Sequence, residues 1–240
     1  MSIIVATCAT IAGILSGLAG GETVNLNKQD CSAVSINRYY PKRVTINAGR
    51  SVVRGLTVQP GAGNVRWRSG TLVAPKGKYA NAADGYAARI QGGAKDVRFD
   101  NVTFTEARMG LVIGAASNVT VADSKLYSYG SDGIHISGAA DGVTIVRNEF
   151  RDPDPRPTQC LVTKDDGTKE TIFGMSSRAC VAIKGLFRDG DHSDAIQMRN
   201  GGKNILIRFN RATGKQQAFS EMRTGGDKPL SNVACSLRTP

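Results

Sequence analysis

Tryptophan occurs once in the 240 residues, histidine twice and proline eight times, and no long helical period follows about residue 20. Set against 28 glycines, and with Val, Ile and Thr spread over many short runs, this scarcity excludes a helical bundle. It favours numerous strands joined by tight turns. The five cysteines, Cys8, Cys31, Cys160, Cys180 and Cys235, form no CxxC pair and no Cys/His metal spacing, which argues against zinc. No run of five Lys/Arg and no aromatic-rich basic stripe is present, so nucleic acid is an unlikely partner. The net charge of +11 is dispersed and favours a polyanionic partner such as an acidic polysaccharide or an anionic membrane face, the alternative being a solvated basic face with no specific partner.

With 40% apolar content the chain is long enough for one large core, and residues 1–240 are expected to form a single domain. Residues 3–18 carry no charge and the first cation is Lys28. Lacking a basic flank and diluted by Gly, Ser and Thr, this run is not expected to span a membrane; an export role is the alternative. Ile11, Ile14, Leu15 and Leu18 stand at helical spacing. Residues 1–22 are therefore read as an N-terminal cap with a helix, turning at Gly20-Gly21 into the strand Thr23-Val24-Asn25-Leu26 and covering the open end of a sheet stack.

From residue 34 onward short strands recur, with the clearest self-similarity from Val65. Val65-Arg66-Trp67, Val97-Arg98-Phe99, Val119-Thr120-Val121, Val143-Thr144-Ile145 and Ile205-Leu206-Ile207 share one apolar-x-apolar pattern. Four are preceded by Asn or Asp and one by Gly after Asp, which suits a turn ahead of each. A second series, Ala88-Arg89-Ile90, Leu111-Val112-Ile113, Ile134-His135-Ile136 and Ile196-Gln197-Met198, lies eight or nine residues upstream of its partner each time. Successive coils are 22 and 24 residues long, from Val97 to Val119 and from Val119 to Val143. Two short strands per coil and no leucine/asparagine signature give an all-β solenoid rather than a leucine-rich repeat.

These coils resemble the right-handed parallel β-helix superfamily of pectate lyases, polygalacturonases, alginate-active enzymes and phage tailspikes. The resemblance covers residues 24–233, and the first segment with Gly20-Gly21-Glu22-Thr23-Val24-Asn25-Leu26 is similar to that superfamily's usual opening. It implies a right-handed β-helix; the period alone implies only a solenoid.

The period breaks once. Asp132 and Asp194 are 62 residues apart where one coil takes about 22, so residues 151–190 are expected to form an inserted excursion. Within it Cys160 to Lys164 and Thr168 to Phe173 read as a hairpin about an Asp-Asp-Gly turn, after which Val181 to Phe187 returns toward the coil. Cys160 and Cys180 flank the excursion and are the preferred disulfide pair, which points to an oxidising compartment. The chain reaches Pro240 without an obvious polar cap, so its last coil is a candidate surface for a homo-oligomer.

Stacking the second series places Tyr86, Met109, Asp132 and Asp194 in one column and Arg89, Val112, His135 and Gln197 in the next. Alternation along Gly133-Ile134-His135-Ile136-Ser137 buries the isoleucines and presents His135 outward. Carboxylates on neighbouring rungs, ~4.8 Å apart, cannot both ionise freely, which yields an acid and a base near neutral pH. Asp132, Asp194 and Asp191 with His135 or His192 are thus the candidate acid/base residues. They suit either glycosidic hydrolysis or abstraction of the C5 proton of a uronate. Arg89, Lys184, Arg188 and Arg199, with Gln197, are the candidate substrate-binding residues. The alternative is that Asp132 and Asp194 only bond turn N–H groups and His135 has no role.

Ser131-Asp132-Gly133 with Gly190-Asp191-His192-Ser193-Asp194 is similar to the NTDG and paired-Asp motifs of polygalacturonases. Gly130 and Ser131 replace the Asn and Thr, two residues separate the aspartates, and GHG and RIK are missing, which argues against pectin hydrolysis. Residues 190–197, GDHSDAIQ, are similar to a GDH-x-DAIQ run in bacterial β-helix proteins of unsettled activity. The expected function is a lyase or glycoside hydrolase acting on an anionic polysaccharide, the alternative a non-catalytic polysaccharide-binding or phage/surface attachment β-helix. The expected location is secreted, periplasmic or on a virion or cell surface. No cofactor is implied beyond Ca2+, which the Asp-rich loops are suited to hold.

Overall fold

The computed structural model describes residues 2–80, 82–188, 190–214, 216–222 and 230–238. One turn of the chain runs through the strands Ser117–Ala122, Lys125–Tyr127 and Tyr129–Ser137 before starting again at Asp141–Val146. Each turn lies parallel on the next. Val119 pairs with Val97 and Val143, Leu126 with Phe104 and Phe150, and Ile134 with Leu111 and Ile196. The chain is therefore an all-β parallel β-helix, with three strands per coil where the sequence pattern gave two. The strand that escapes is Lys125–Tyr127, three residues with Leu126 as its one buried side chain, too short for an alternation to register.

Asn64, Asp96, Asn118, Gly142 and Asn204, the residues ahead of the five repeated strands, all have φ between 53° and 68°. Glycine has no Cβ to clash there, and Asn and Asp tolerate the left-handed region through local hydrogen bonds. The corner is thus reset identically in successive coils. The apolar-x-apolar strands then deliver an inner column of Trp67, Phe99, Val121, Ile145 and Ile207, none more than 1% exposed. At a second corner the core holds a polar ladder. The Ser124 N–H donates to Asn148 Oδ1 at 2.9 Å and the Asn148 N–H to Asn210 Oδ1 at 2.8 Å. The Asn148 and Asn210 amides donate in turn to the carbonyls of Val121 and Ile145, at 2.9 and 2.8 Å.

Near the N-terminus the helix Ile11–Gly17 buries Ile11 and Leu15, the face expected from their spacing. Tyr40 donates its hydroxyl to the Leu15 carbonyl at 2.7 Å, and Arg38 Nη1 to the Ser16 carbonyl at 2.8 Å. Ahead of the helix Ile3–Ala6 is a strand parallel to Thr23–Leu26. A Cys8–Cys31 disulfide, not anticipated, ties the segment to the coil. No helix among the described residues is long and apolar enough to cross a membrane.

The excursion is a small sheet of its own. Gln159–Thr163 and Lys169–Phe173 form the expected antiparallel hairpin, with Gly167 at φ 81° in its turn. Leu186–Arg188 adds a third antiparallel strand, and Ser177–Ala182 is a helix where the pattern showed only a returning segment. Its start is set by Ser176, whose Oγ accepts the Ala179 N–H at 3.2 Å. That is the N-cap geometry that satisfies one orphan donor. Cys160 and Cys180 are fully buried and joined, as expected. Beyond the excursion, Gln217–Met222 pairs with Asp194–Arg199 and Leu230–Arg238 with Gly202–Ala212. The Cys235 side chain, residues 223–229 and residues 239–240, on which the expected open C-terminal end depends, lie outside the described residues.

Candidate active site

The strands Val34–Ile36, Leu56–Val58, Tyr86–Ile90, Ala107–Gly114, Tyr129–Ser137, Asp194–Arg199 and Gln217–Met222 form one seven-stranded sheet, and its outer face carries the candidate residues. Tyr86, Met109, Asp132 and Asp194 share one column, and Arg89, Val112, His135 and Gln197 the next. Both columns are as the eight- and nine-residue intervals require. Gln217 and Ser220 extend them by one rung.

Residues three apart in a regular strand face opposite sides, yet Asp132 Oδ2 lies 2.8 Å from His135 Nδ1. The strand bends at Gly133, which points inward. A Cβ there falls 2.6 Å from Phe150 Cδ1 and 2.6 Å from the Ala195 carbonyl oxygen. With Gly133 and Ile134 both directed to the core, Asp132 and His135 come to the same outer side. Simple alternation had placed Gly133 outward, and the close rung-to-rung contact overturns that. His135 keeps its outward direction but is only 8% exposed, between Val112 and Gln197, while Asp132 is wholly buried.

The next rung repeats the device. Asp194 Oδ2 accepts hydrogen bonds from Gln197 Nε2 at 2.8 Å and from Ser220 Oγ at 2.6 Å. Asp132 Oδ1 and Asp194 Oδ1, both buried, have no hydrogen-bond partner among the described residues. Burial raises the Asp132 carboxyl above its ordinary range, the Asp194 charge adds to the rise, and the His135 hydrogen bond and charge oppose it. The surroundings of Asp132 thus favour its protonated form over that of an exposed carboxyl.

The returning end of the excursion brings Gly190, Asp191 and His192 beside this pair. Asp191 Oδ1 accepts from Arg108 Nη2 at 2.9 Å and Nε at 3.2 Å, and lies 3.5 Å from Arg156 Nη2. The Asp191 N–H donates to the Arg156 carbonyl at 2.9 Å, and Ser193 Oγ to the Gly130 carbonyl at 3.2 Å. Together Arg108, Ser131, Asp191, His192, Asp194, Gln197, Gln217 and Ser220 line a cleft of about 450 Å³ with Gly190. Asp132 and His135 stand in the rung behind its wall.

Of the residues singled out in the sequence, Asp191, His192, Asp194 and Gln197 thus meet in one cleft, with Asp132 and His135 adjoining. Lys184, Arg188 and Arg199 are exposed and do not line it, and Arg89 lines a separate cavity. The cation that lines the cleft is Arg108, with Arg156 approaching Asp191 beside it, and the pattern singled out neither. Sequence reasoning does not reach Arg108, since it immediately precedes Met109 in the Asp132 column and simple alternation directs it to the opposite face. Among the described residues no group of three or more His, Cys, Asp or Glu side chains is placed to hold a metal ion.

No family model and no curated protein matches the chain. Among solved structures it is similar to pectate lyase Pel9A (12% identity, TM-score 0.51, covering 100% of this chain and 77% of that one). It is also similar to pectate lyase Bsp165PelA from Bacillus sp. N165, a structure in complex with trigalacturonate (13% identity, TM-score 0.50, covering 97% and 81%). A third is Geobacillus virus E2 ORF18 (9%, TM-score 0.48, covering 98% and 60%). The chain has the right-handed parallel β-helix fold of the pectate lyases.

Proposed function

We propose that the chain cleaves an anionic polysaccharide in this cleft by acid/base chemistry, most simply as a lyase. The observation that carries the reading is one cleft lined by Arg108, a cation held in place by Asp191, together with His192 and Asp194. Gln197 and Ser220 both donate to Asp194 Oδ2, which fixes the orientation of the carboxyl group in the cleft wall. Burial raises the Asp132 pKa, which suits this carboxyl to hold a proton next to the cleft. In the elimination Asp194 or His192 takes the C5 proton of a uronate, the C4–O bond breaks, and the leaving oxygen takes a proton from solvent water as the C4–C5 double bond forms. Arg108 neutralises the charge that builds on the uronate carboxylate. Hydrolysis uses the same groups with Asp194 activating water. The fold of the two pectate lyases supports a saccharide substrate by analogy alone. Two disulfides suit a secreted or surface location.

A second reading follows from the burial of Asp132 and His135: the stack is a structural brace in a polysaccharide-binding or attachment protein. The test is incubation with pectate, alginate and bacterial exopolysaccharides, following absorbance of unsaturated uronates and release of reducing ends. Unsaturated product identifies a lyase, and reducing ends without it a hydrolase. Binding without product on every polymer supports the attachment reading. Asp194→Asn and His192→Ala are each expected to abolish turnover while the protein stays folded; full activity in both overturns the assignment.

A further inference from the structure

We infer that the cavity lined by Arg89 is a remote subsite for an anionic sugar unit of the same polymer that fills the Asp194 cleft, which makes long chains the preferred ligand. The inference rests on the polysaccharide reading above. The cavity measures about 220 Å³ and opens among Thr57, Gln59, Tyr86, Arg89 and Gln91 on the same sheet as the cleft. Its floor is fixed by chain contacts, since a Cβ on Gly55, which sits at φ 96°, falls 2.8 Å from Pro75 Cγ.

Arg89 is half-buried there and forms no ion pair or side-chain hydrogen bond among the described residues. The one carboxylate lining the cavity, Asp84, pairs with Lys76 at 2.9 Å and is itself well exposed. Gln59 Nε2 donates to Ser35 Oγ at 3.0 Å, while the Thr57, Tyr86 and Gln91 side chains have no hydrogen-bond partner among the described residues. An uncommitted guanidinium surrounded by amide and hydroxyl groups fits a sugar that carries a carboxylate. The fork of Arg takes the carboxylate and the neutral groups take the hydroxyls.

Register fixes where this unit stands relative to the chemistry. Arg89, Val112, His135 and Gln197 occupy consecutive rungs, so Arg89 lies three strand spacings, about 14 Å, from Gln197. Two rungs intervene, the apolar Met109 and Val112 and then Asp132 and His135. A saccharide lying along the coil axis therefore runs from the cleft across both rungs to the Arg89 cavity. A short fragment seated in the cleft does not reach it.

The experiment compares Arg89→Gln with the unmodified protein by calorimetric titration of polymeric pectate and alginate and of their disaccharides. The expected result is about tenfold weaker binding of the preferred polymer, the scale of one charge-assisted hydrogen bond, with disaccharide binding unchanged. Polymer affinity unchanged by Arg89→Gln, or a disaccharide weakened equally, overturns the subsite and leaves the cleft assignment standing. Absence of polymer binding by the unmodified protein overturns the polysaccharide reading and the subsite with it. Gln91→Ala, which keeps the guanidinium, is expected to show the same polymer-selective loss and serves if Arg89→Gln fails to fold.

Discussion

Replacing Gly133 with alanine tests the link between coil geometry and the site directly. The added methyl meets the Ala195 carbonyl oxygen and Phe150 Cδ1, each at 2.6 Å, well inside contact distance. Neither neighbour yields freely, because the carbonyl belongs to the adjoining strand and the Phe150 ring is fully buried between Leu126 and Ala212 rungs. Overpacking of this kind costs about 1–3 kcal/mol, which for a chain of this size lowers Tm by about 2–12 °C. Relief requires the rung that begins at Asp194 to move away from Asp132, and displacement of a reacting group by about 1 Å is worth roughly a hundredfold in rate. The expected outcome is a folded protein with a lowered thermal midpoint and polysaccharide turnover reduced far more than the stability loss explains. Thermal melts followed by circular dichroism, with turnover measured well below the midpoint, check both parts. An unchanged midpoint with full turnover refutes the inward orientation of Gly133 and with it the explanation of how Asp132 meets His135.

The buried ladder and the buried Asp132 carboxyl each give a further testable outcome. Asn148→Ala removes donors to Val121 and Asn210 and the acceptor of the Ser124 N–H, so it is expected to destabilise by about 2–4 kcal/mol; a shift in urea midpoint equivalent to under ~1 kcal/mol contradicts the ladder's role. Because burial raises the Asp132 pKa in the folded chain, the native state holds its proton more tightly than the unfolded one. The stability this confers is complete below the unfolded carboxylate pKa of about 3.9 and is lost as pH rises through the folded value. Asp132→Asn therefore gains stability relative to the unmodified protein as pH is raised from about 4; parallel stability curves over that range refute the shift.

Most of the fold was legible because a solenoid writes its period into the chain. The interval between the two strand series puts Asp132 over Asp194 and His135 over Gln197, and the Asn, Asp and Gly residues ahead of the five repeated strands are the left-handed corners. The short middle strand was not legible, since three residues carry too little alternation. The Ser124, Asn148 and Asn210 ladder was equally silent. Polar residues near turns are ordinary, and only stacking shows that these are buried and bonded to one another.

The sequence by itself determined the parallel coil, its register, the position of the excursion and the Cys160–Cys180 pair, because each depends on spacing along the chain. Tertiary structure alone decided which cations serve the cleft and which side chains share a face. Arg108 meets Asp191 across 83 residues, a contact created by the return of the excursion and invisible to any local period. The Asp132–His135 contact depends on a bend at Gly133, and that bend is imposed by Phe150 and Ala195 from neighbouring rungs rather than by the strand's own residues.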